Sequence, residues 1–455
     1  MKKKSLSQNS AAHRKKERGI TAIAVCGYKS LNHEQRIEIR PLTILAGANS
    51  SGKSSILQPL LLLKQTLETP YDPGALLLNG PNVRATSADQ LLSKITTKEC
   101  SDSFHVQFEN LDNWKMKLSY KREQGKAIDI ESIIFYEKGE ENEKILHMGM
   151  SHDEIMTIIP GHLKDFYKQI EKQEKNIKWI IRRERCFLSL ILQKQEGSKL
   201  LSFGGGFFPS PFRSFVERDI VRVIHLPGLR GNPERTYKTT AVGDEFPGTF
   251  ENYVASLVNH WQNSGSDKLK LLGKALEDLG LTWKVEAKPV DDTQVELRVG
   301  RLLHGRKGGS HDLVSIADVG FGVSQTLPVV VALLVAKPGQ IVYLEQPEIH
   351  LHPRAQYAMA KLLVDAANRG VKVIIETHSD ILLVGIQALV AEGKLSSDKV
   401  KLHWFSRSLN GFTEVKSADL DEAGAFGDWP EDFAEVYLKA ESRYLDAAEA
   451  RRGKK

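Results

Sequence analysis

Gly47-Ala48-Asn49-Ser50-Ser51-Gly52-Lys53-Ser54 is the stretch that decides how this chain folds. It fits the spacing GxxxxGK[ST], with an apolar run at 42–45 before it and a Leu- and Ile-rich stretch at 54–67 after it. A glycine-rich turn between a strand and a helix is the context in which that spacing becomes a phosphate cradle. Gly47 and Gly52 let backbone N–H groups close around phosphate oxygens, Lys53 neutralises them, and Ser54 offers a hydroxyl to Mg²⁺. Asn49, Ser50, Ser51 and Ser55 complete the candidate nucleotide-binding set.

Three further segments have the right chemistry to serve that loop. Residues 340–345 read as a buried strand ending in Glu345, a carboxylate able to hold Mg²⁺ opposite the phosphates. Gln346 follows directly, and Glu348 two residues later. An amide orients water but cannot take its proton, so either Gln346 positions the attacking water in a slow reaction or Glu348 supplies the base. Glu348, His350 and His352 alternate along one segment, so a metal site has to be considered, but a loop packed across a subunit seam explains them without a further ligand set and is the preferred reading. A strand at 371–376 runs into Thr377-His378-Ser379-Asp380, where His378 can reach a γ-phosphate or the water. Finally, Asp318-Val319-Gly320-Phe321-Gly322-Val323-Ser324-Gln325 precedes a helix expected to start near Thr326, so Gly322 and Ser324 sit at an anion-attracting helix N-terminus.

Strands alternating with helices predict an α/β fold with a mainly parallel sheet. Residues 104–136 break that rhythm with short alternating runs and predict an antiparallel meander. Residues 163–195 carry Phe166, Ile170, Ile177, Ile180 and Ile181 among lysines and are expected to form one or two amphipathic helices in an arm. A Gly/Phe/Pro loop is expected at 203–211, with strand character resuming at 221–226. The expected organisation is a basic disordered tail at 1–18, the first half of the core at 19–100, the meander and helical arm at 101–220, the second half at 221–415, and a helical tail at 416–455.

The 455 residues carry a net charge of +6, much of it in basic clusters at the two ends, so the body between them is close to neutral. Such tails either contact nucleic acid or are simply solvated. The longest apolar run, 327–336, is too short to span a bilayer. Cys26, Cys100 and Cys186 are widely spaced and form no CxxC pair, which fits a reducing, cytoplasmic setting.

Taken in order, GANSSGKSS, DVGFGVSQ, YLEQPEIHLHP and ETHSD resemble the Walker A, signature, Walker B/D-loop and switch-histidine segments of OLD/RecF/SMC-like ABC ATPases over residues 20–100 and 220–410. The match is strongest to OLD-like ATPases. The resemblance implies an ABC-type P-loop head with an antiparallel β subdomain and a helical insertion, binding ATP and Mg²⁺. It implies that Lys53 and Ser54 hold phosphate and Mg²⁺, that Glu345 positions Mg²⁺, and that His378 senses the γ-phosphate. Gly322 and Ser324 would act on ATP held by the opposite subunit of a head-to-tail dimer or higher oligomer. No acidic cluster of the TOPRIM nuclease kind follows His378, and no long coiled coil is inserted, so the chain resembles the stand-alone ATPases of defence systems such as Septu or PARIS. A separately encoded effector is then the expected partner, with a DNA-binding RecF-like repair ATPase as the alternative. DVGFGVSQ departs from the LSGGQ signature of transporters, so no membrane partner is expected. The segment from His225 to Arg235 is also similar to a Gly-Pro-Leu-Arg-like segment in relatives, its arginines, Arg230 and Arg235, facing nucleotide or partner, or only solvent in a turn.

Overall fold

The computed structural model describes residues 19–94, 101–122, 127–136, 143–174, 176–196, 199–208, 212–302, 312–427 and 435–452. In chain order, strands β1 (Ala22–Cys26), β2 (Gln35–Glu38) and β3 (Leu42–Gly47) lead into helix α1 (Lys53–Glu68). β4 (Ser103–Glu109), β5 (Lys115–Arg122), β6 (Ile128–Tyr136) and β7 (Lys144–His147) follow, then α2 (His152–Ile158) and α3 (Gly161–Glu171). β8 (Ile177–Glu184), β9 (Phe187–Glu196) and β10 (Lys199–Phe207) precede α4 (Phe212–Val221), β11 (Ile224–Leu226) and β12 (Tyr237–Lys238). Helices α5 (Glu251–Asn263) and α6 (Asp267–Asp278) are followed by β13 (Val285–Pro289), β14 (Gln294–Gly300), β15 (Leu313–Ser315), α7 (Phe321–Val335) and β16 (Ile341–Glu345). The chain closes with α8 (Pro353–Asn368), β17 (Lys372–Glu376), α9 (Asp380–Ala391), β18 (Val400–Arg407), β19 (Thr413–Ala418) and α10 (Glu435–Arg452).

The central sheet has the order β11-β16-β17-β3-β18-β19, parallel from β11 to β18 and antiparallel at β19. Its strands are apolar on both faces, as a parallel sheet covered on both sides requires. Leu42, Ile44, Val342, Leu344, Val373 and Ile375 face one core, built with α5 to α9. Leu45, Ile341, Tyr343 and Ile374 face the other, which holds α1 and the antiparallel strands. α1 lies against β1, β3 and α4, so the helix leaving the glycine-rich turn is fixed on three sides.

The meander is present, extended on both edges to β2-β1-β4-β5-β6-β7. Its alternation is direct: Phe104, Val106 and Phe108 are buried while Ser103, His105 and Gln107 are partly exposed. The helical arm is shorter than expected. α3 ends at Glu171, and residues 177–196 form the antiparallel pair β8 and β9. Ile177, Trp179 and Ile181 are buried at a spacing of two, a strand period that the reading of a helical stripe missed. Left-handed Asn176 and Arg185 bracket β8 and turn the chain at its ends. Residues 203–207 belong to β10, whose ladder is irregular between Phe203 and Phe207, so the expected loop is a distorted strand there. The residues expected to form the basic tail, 1–18, lie outside the described residues, as does Cys100; Cys26 and Cys186 are free thiols. Among the described residues no helix is long and apolar enough to cross a membrane.

Candidate nucleotide site

β3 is buried along its whole length and delivers Gly47 to the edge of the core. At Gly47 φ is +137°, and a Cβ would lie 2.1 Å from the Phe405 carbonyl oxygen, so only glycine fits against β18. At Gly52, with φ +100°, a Cβ would lie 2.2 Å from Thr413 Oγ1. Ser50 is also left-handed. The loop is tied from outside by the β18–β19 hairpin: Arg407 Nε donates to Ser50 O at 2.8 Å, and Thr413 Oγ1 lies 2.8 Å from Ser51 O. α1 then starts at Lys53 with no side-chain cap and no acid in its first turn. Its free N–H groups and positive dipole end are left for an anion. Ser51 Oγ is buried without a partner in the same turn. Lys53 Nζ folds back onto Gly47 O and Ala48 O at 3.0 and 2.8 Å, and burial pushes its pKa down.

A cavity of about 680 Å³ opens over this loop, lined by Asn49 to Ser55 together with Gln346, Glu376, His378, Arg407 and Phe412. β16 and β17 run side by side with Glu345 opposite Glu376, and Glu376 in turn lies opposite Leu45 of β3. Glu376 is buried; its Oε2 accepts from Ser54 Oγ at 2.9 Å and its Oε1 from the Tyr343 hydroxyl. Burial, then the neighbouring Glu345, pushes the Glu376 pKa up to about 7. Glu345 shares the Tyr343 hydroxyl and has further partners of its own. Its carboxylate meets His225 Nε2 at 3.1 Å and Gly228 N at 3.1 Å, and these contacts outweigh burial to hold its pKa below the usual value.

Gln346 lines the cavity in a left-handed conformation, φ +45°, anchored by its N–H on Glu376 O at 2.8 Å. His378 also lines it, its pKa lowered by burial and then by Lys53. Glu348 does not line it. Glu348 Oε1 accepts from Thr377 Oγ1 at 2.7 Å and His378 N at 3.0 Å, bracing the switch segment from behind, and burial raises its pKa. His350 and His352 are exposed, His352 capping α8 by accepting from Arg354 N. Among the described residues no group of three His, Cys, Asp or Glu side chains is placed to hold a metal. A magnesium nucleotide needs no such group, because Mg²⁺ bound to phosphates takes one or two carboxylates and keeps several waters. Ser54 and the buried Glu376 carboxylate beside a free helix N-terminus fit that donor set.

The signature segment lies elsewhere. α7 begins at Phe321 rather than near Thr326, so Gly322 and Ser324 are in its first turn, with Ser324 Oγ donating to Phe321 O at 3.3 Å. Neither lines the cavity over the glycine-rich loop; Ser324 borders a second cavity of about 500 Å³ with Arg230, Tyr237 and Lys238. Arg230 is buried, borders that cavity and donates from Nη2 to Glu345 O at 3.0 Å, holding the end of β16, whereas Arg235 is exposed and paired with Asp318. Gln325 Nε2 donates to Gly231 O at 3.0 Å and ties the signature helix to the same loop.

Glu376, Tyr343, His225 and Arg407 are site residues that the sequence reading did not single out. Glu376 had a visible signal, a carboxylate closing the apolar run 371–375, but nothing in the sequence said that it faces Ser54 at a sequence separation of 322.

Two family models match separate parts of the chain. Residues 19–185 match one described as "AAA ATPase domain", and residues 207–384 match one described as "AAA domain, putative AbiEii toxin, Type IV TA system". Over those two stretches the chain is similar to ATPase domains of the AAA kind. No curated protein matches it. Among solved structures, it is similar to an SMC head bound to the C-winged helix domain of ScpA, at 13% identity over 89% of this chain and 99% of that one, with a TM-score of 0.46. It is also similar to an SMC head domain from Thermotoga maritima, at 12% identity over 88% and 98%, TM-score 0.39. A third is the Pyrococcus furiosus SMC head with an extended coiled coil, bound to the C-terminal domain of ScpA, at 12% over 95% and 99%, TM-score 0.41.

Proposed function

We propose that the chain binds ATP with Mg²⁺ over the glycine-rich loop, hydrolyses it, and pairs with a second copy in a nucleotide-dependent way to control a separately encoded effector, such as a nuclease, in an antiphage defence system. The observation that carries the reading is the convergence of Ser54, Gln346, Glu376 and His378 on one cavity with the loop, while Gly322 and Ser324 line none of it. That separation supports a signature that serves a neighbour's nucleotide instead of its own chain's. The toxin–antitoxin wording of the second family model supports a defence setting.

In this reading the loop N–H groups and Lys53 bind and orient the triphosphate, Lys53 releasing Gly47 O and Ala48 O to do so. Mg²⁺, when bound, neutralises charge developing on the β- and γ-phosphate oxygens. Gln346 orients the attacking water through its amide, and His378 approaches the γ-phosphate side from the switch segment that Glu348 braces. Without a carboxylate at position 346, proton removal is slow, which suits a timer more than a motor.

Calorimetry and phosphate release with wild type and Lys53→Ala test the proposal. Wild type is expected to bind magnesium ATP and turn it over, with both lost in the variant; equal turnover in the two would refute it. Light scattering with a non-hydrolysable ATP analogue is expected to report the pairing. Turnover stimulated by duplex DNA, with affinity falling steeply as salt rises, would replace the effector reading with DNA repair.

A further inference from the structure

We infer that Glu376, at the end of β17, is the carboxylate through which this chain holds the water shell of the nucleotide's Mg²⁺, an inference that rests on the ATPase reading above. The end of β16 is where the sequence places that group, since Glu345 closes the apolar strand before the Gln346 turn. The geometry points one strand further in. β17 lies between β16 and β3, so its last residue is beside the loop strand, whereas Glu345 is one strand removed.

The hydrogen bonds agree. Ser54 is the loop hydroxyl that would ligate the metal, and its partner is Glu376 Oε2 at 2.9 Å. Tyr343 fixes the other oxygen, so the carboxylate is held in one orientation before any ligand arrives. Glu376 lines the cavity and Glu345 does not. Glu345 shares the Tyr343 hydroxyl with Glu376 but is otherwise held by His225 and Gly228 N, and its backbone carbonyl is taken by Arg230. The Glu376 carboxylate meets the Ser54 hydroxyl and opens onto the cavity where the waters of a cation beside Ser54 would lie. Glu345 is thereby left to fix the β16 turn that aims Gln346.

The test is the affinity advantage that Mg²⁺ gives to binding of a non-hydrolysable ATP analogue, measured by calorimetry in Mg²⁺ and in EDTA. Wild type is expected to bind better with Mg²⁺, Glu376→Gln to lose at least about tenfold of that advantage, each variant being referred to its own EDTA affinity, and Glu345→Gln to lose less. Glu376→Gln keeping the advantage, or Glu345→Gln losing as much or more, would overturn the assignment. Gln preserves the shape and one acceptor for the Ser54 and Tyr343 hydroxyls, and its melting temperature is read alongside. If it does not fold, Glu376→Asp, which draws the carboxylate back from the Ser54 hydroxyl, is expected to reduce the advantage a few-fold, and an unchanged value would overturn the inference. Wild type that binds no nucleotide in either condition would instead sink the ATPase reading itself.

Discussion

Replacing Glu348 separates a brace from a base. Its Oε1 receives two hydrogen bonds, from Thr377 Oγ1 at 2.7 Å and His378 N at 3.0 Å, and its Oε2 is buried with no partner. Glu348→Ala strips both donors of their acceptor, and with each bond to such a group contributing roughly 1.5 to 3 kcal/mol the gross loss is about 3 to 6 kcal/mol. Burial of the carboxyl, which raises its pKa, is relieved by the same change, so the net loss expected is about 2 to 4 kcal/mol. Glu348→Gln keeps a carbonyl oxygen in the place of Oε1, and its stability is expected to stay within about 1 kcal/mol of wild type. Urea unfolding gives the two stabilities, and phosphate release at saturating magnesium ATP gives the two activities. A bracing residue predicts that Gln retains most turnover and Ala loses it along with stability. A Gln variant that unfolds like wild type yet releases no phosphate would refute the bracing role and make Glu348 the base.

Gly47→Ala forces a Cβ to 2.1 Å from the Phe405 carbonyl oxygen at φ +137°, so a loss of at least about 2 kcal/mol in urea unfolding is expected, together with loss of nucleotide binding by calorimetry. Gln346→Glu puts a proton acceptor into the cavity and is expected to raise the rate of phosphate release about tenfold or more; an unchanged rate would show that water activation does not limit turnover. His403 is buried, and burial lowers its pKa from 6.5 to about 4 while Ser417 Oγ and the Glu38 backbone engage its ring. Because the unfolded chain takes up this proton first, stability is present above pH 6.5 and declines as pH falls towards 4, by roughly 3 kcal/mol in all. His403→Asn is expected to flatten that part of the profile, measured as urea midpoints between pH 7 and 4.

The loop and its strand–helix setting were legible because they are local: spacing, glycines and flanking apolar runs lie within thirty residues. The strands at 42–47, 341–345 and 372–376 were legible for the same reason, as short apolar runs bounded by turns. Register was not. Which carboxylate faces Ser54 depends on β17 entering between β16 and β3, and two strands ending in Glu look alike until they are placed. Residues 177–195 were misread because Ile177, Ile180 and Ile181 suit a helix as well as a strand; Trp179 and the alternation of Leu188, Leu190 and Leu192 favour the strand. The start of α7 was placed too late because Gly320 and Gly322 look like loop residues, whereas Gly320 is the N-cap and Gly322 already lies within the helix.

The strand order also governs how the molecule is made. β3 leaves the ribosome early, yet both of its neighbours, β17 and β18, lie beyond residue 371. At about 5 to 20 residues per second the nascent chain carries that apolar strand with both edges open for tens of seconds. Chaperone demand during synthesis should therefore fall on the amino-terminal half, and a translation product truncated before residue 372 should retain an antiparallel meander but no means of gripping nucleotide.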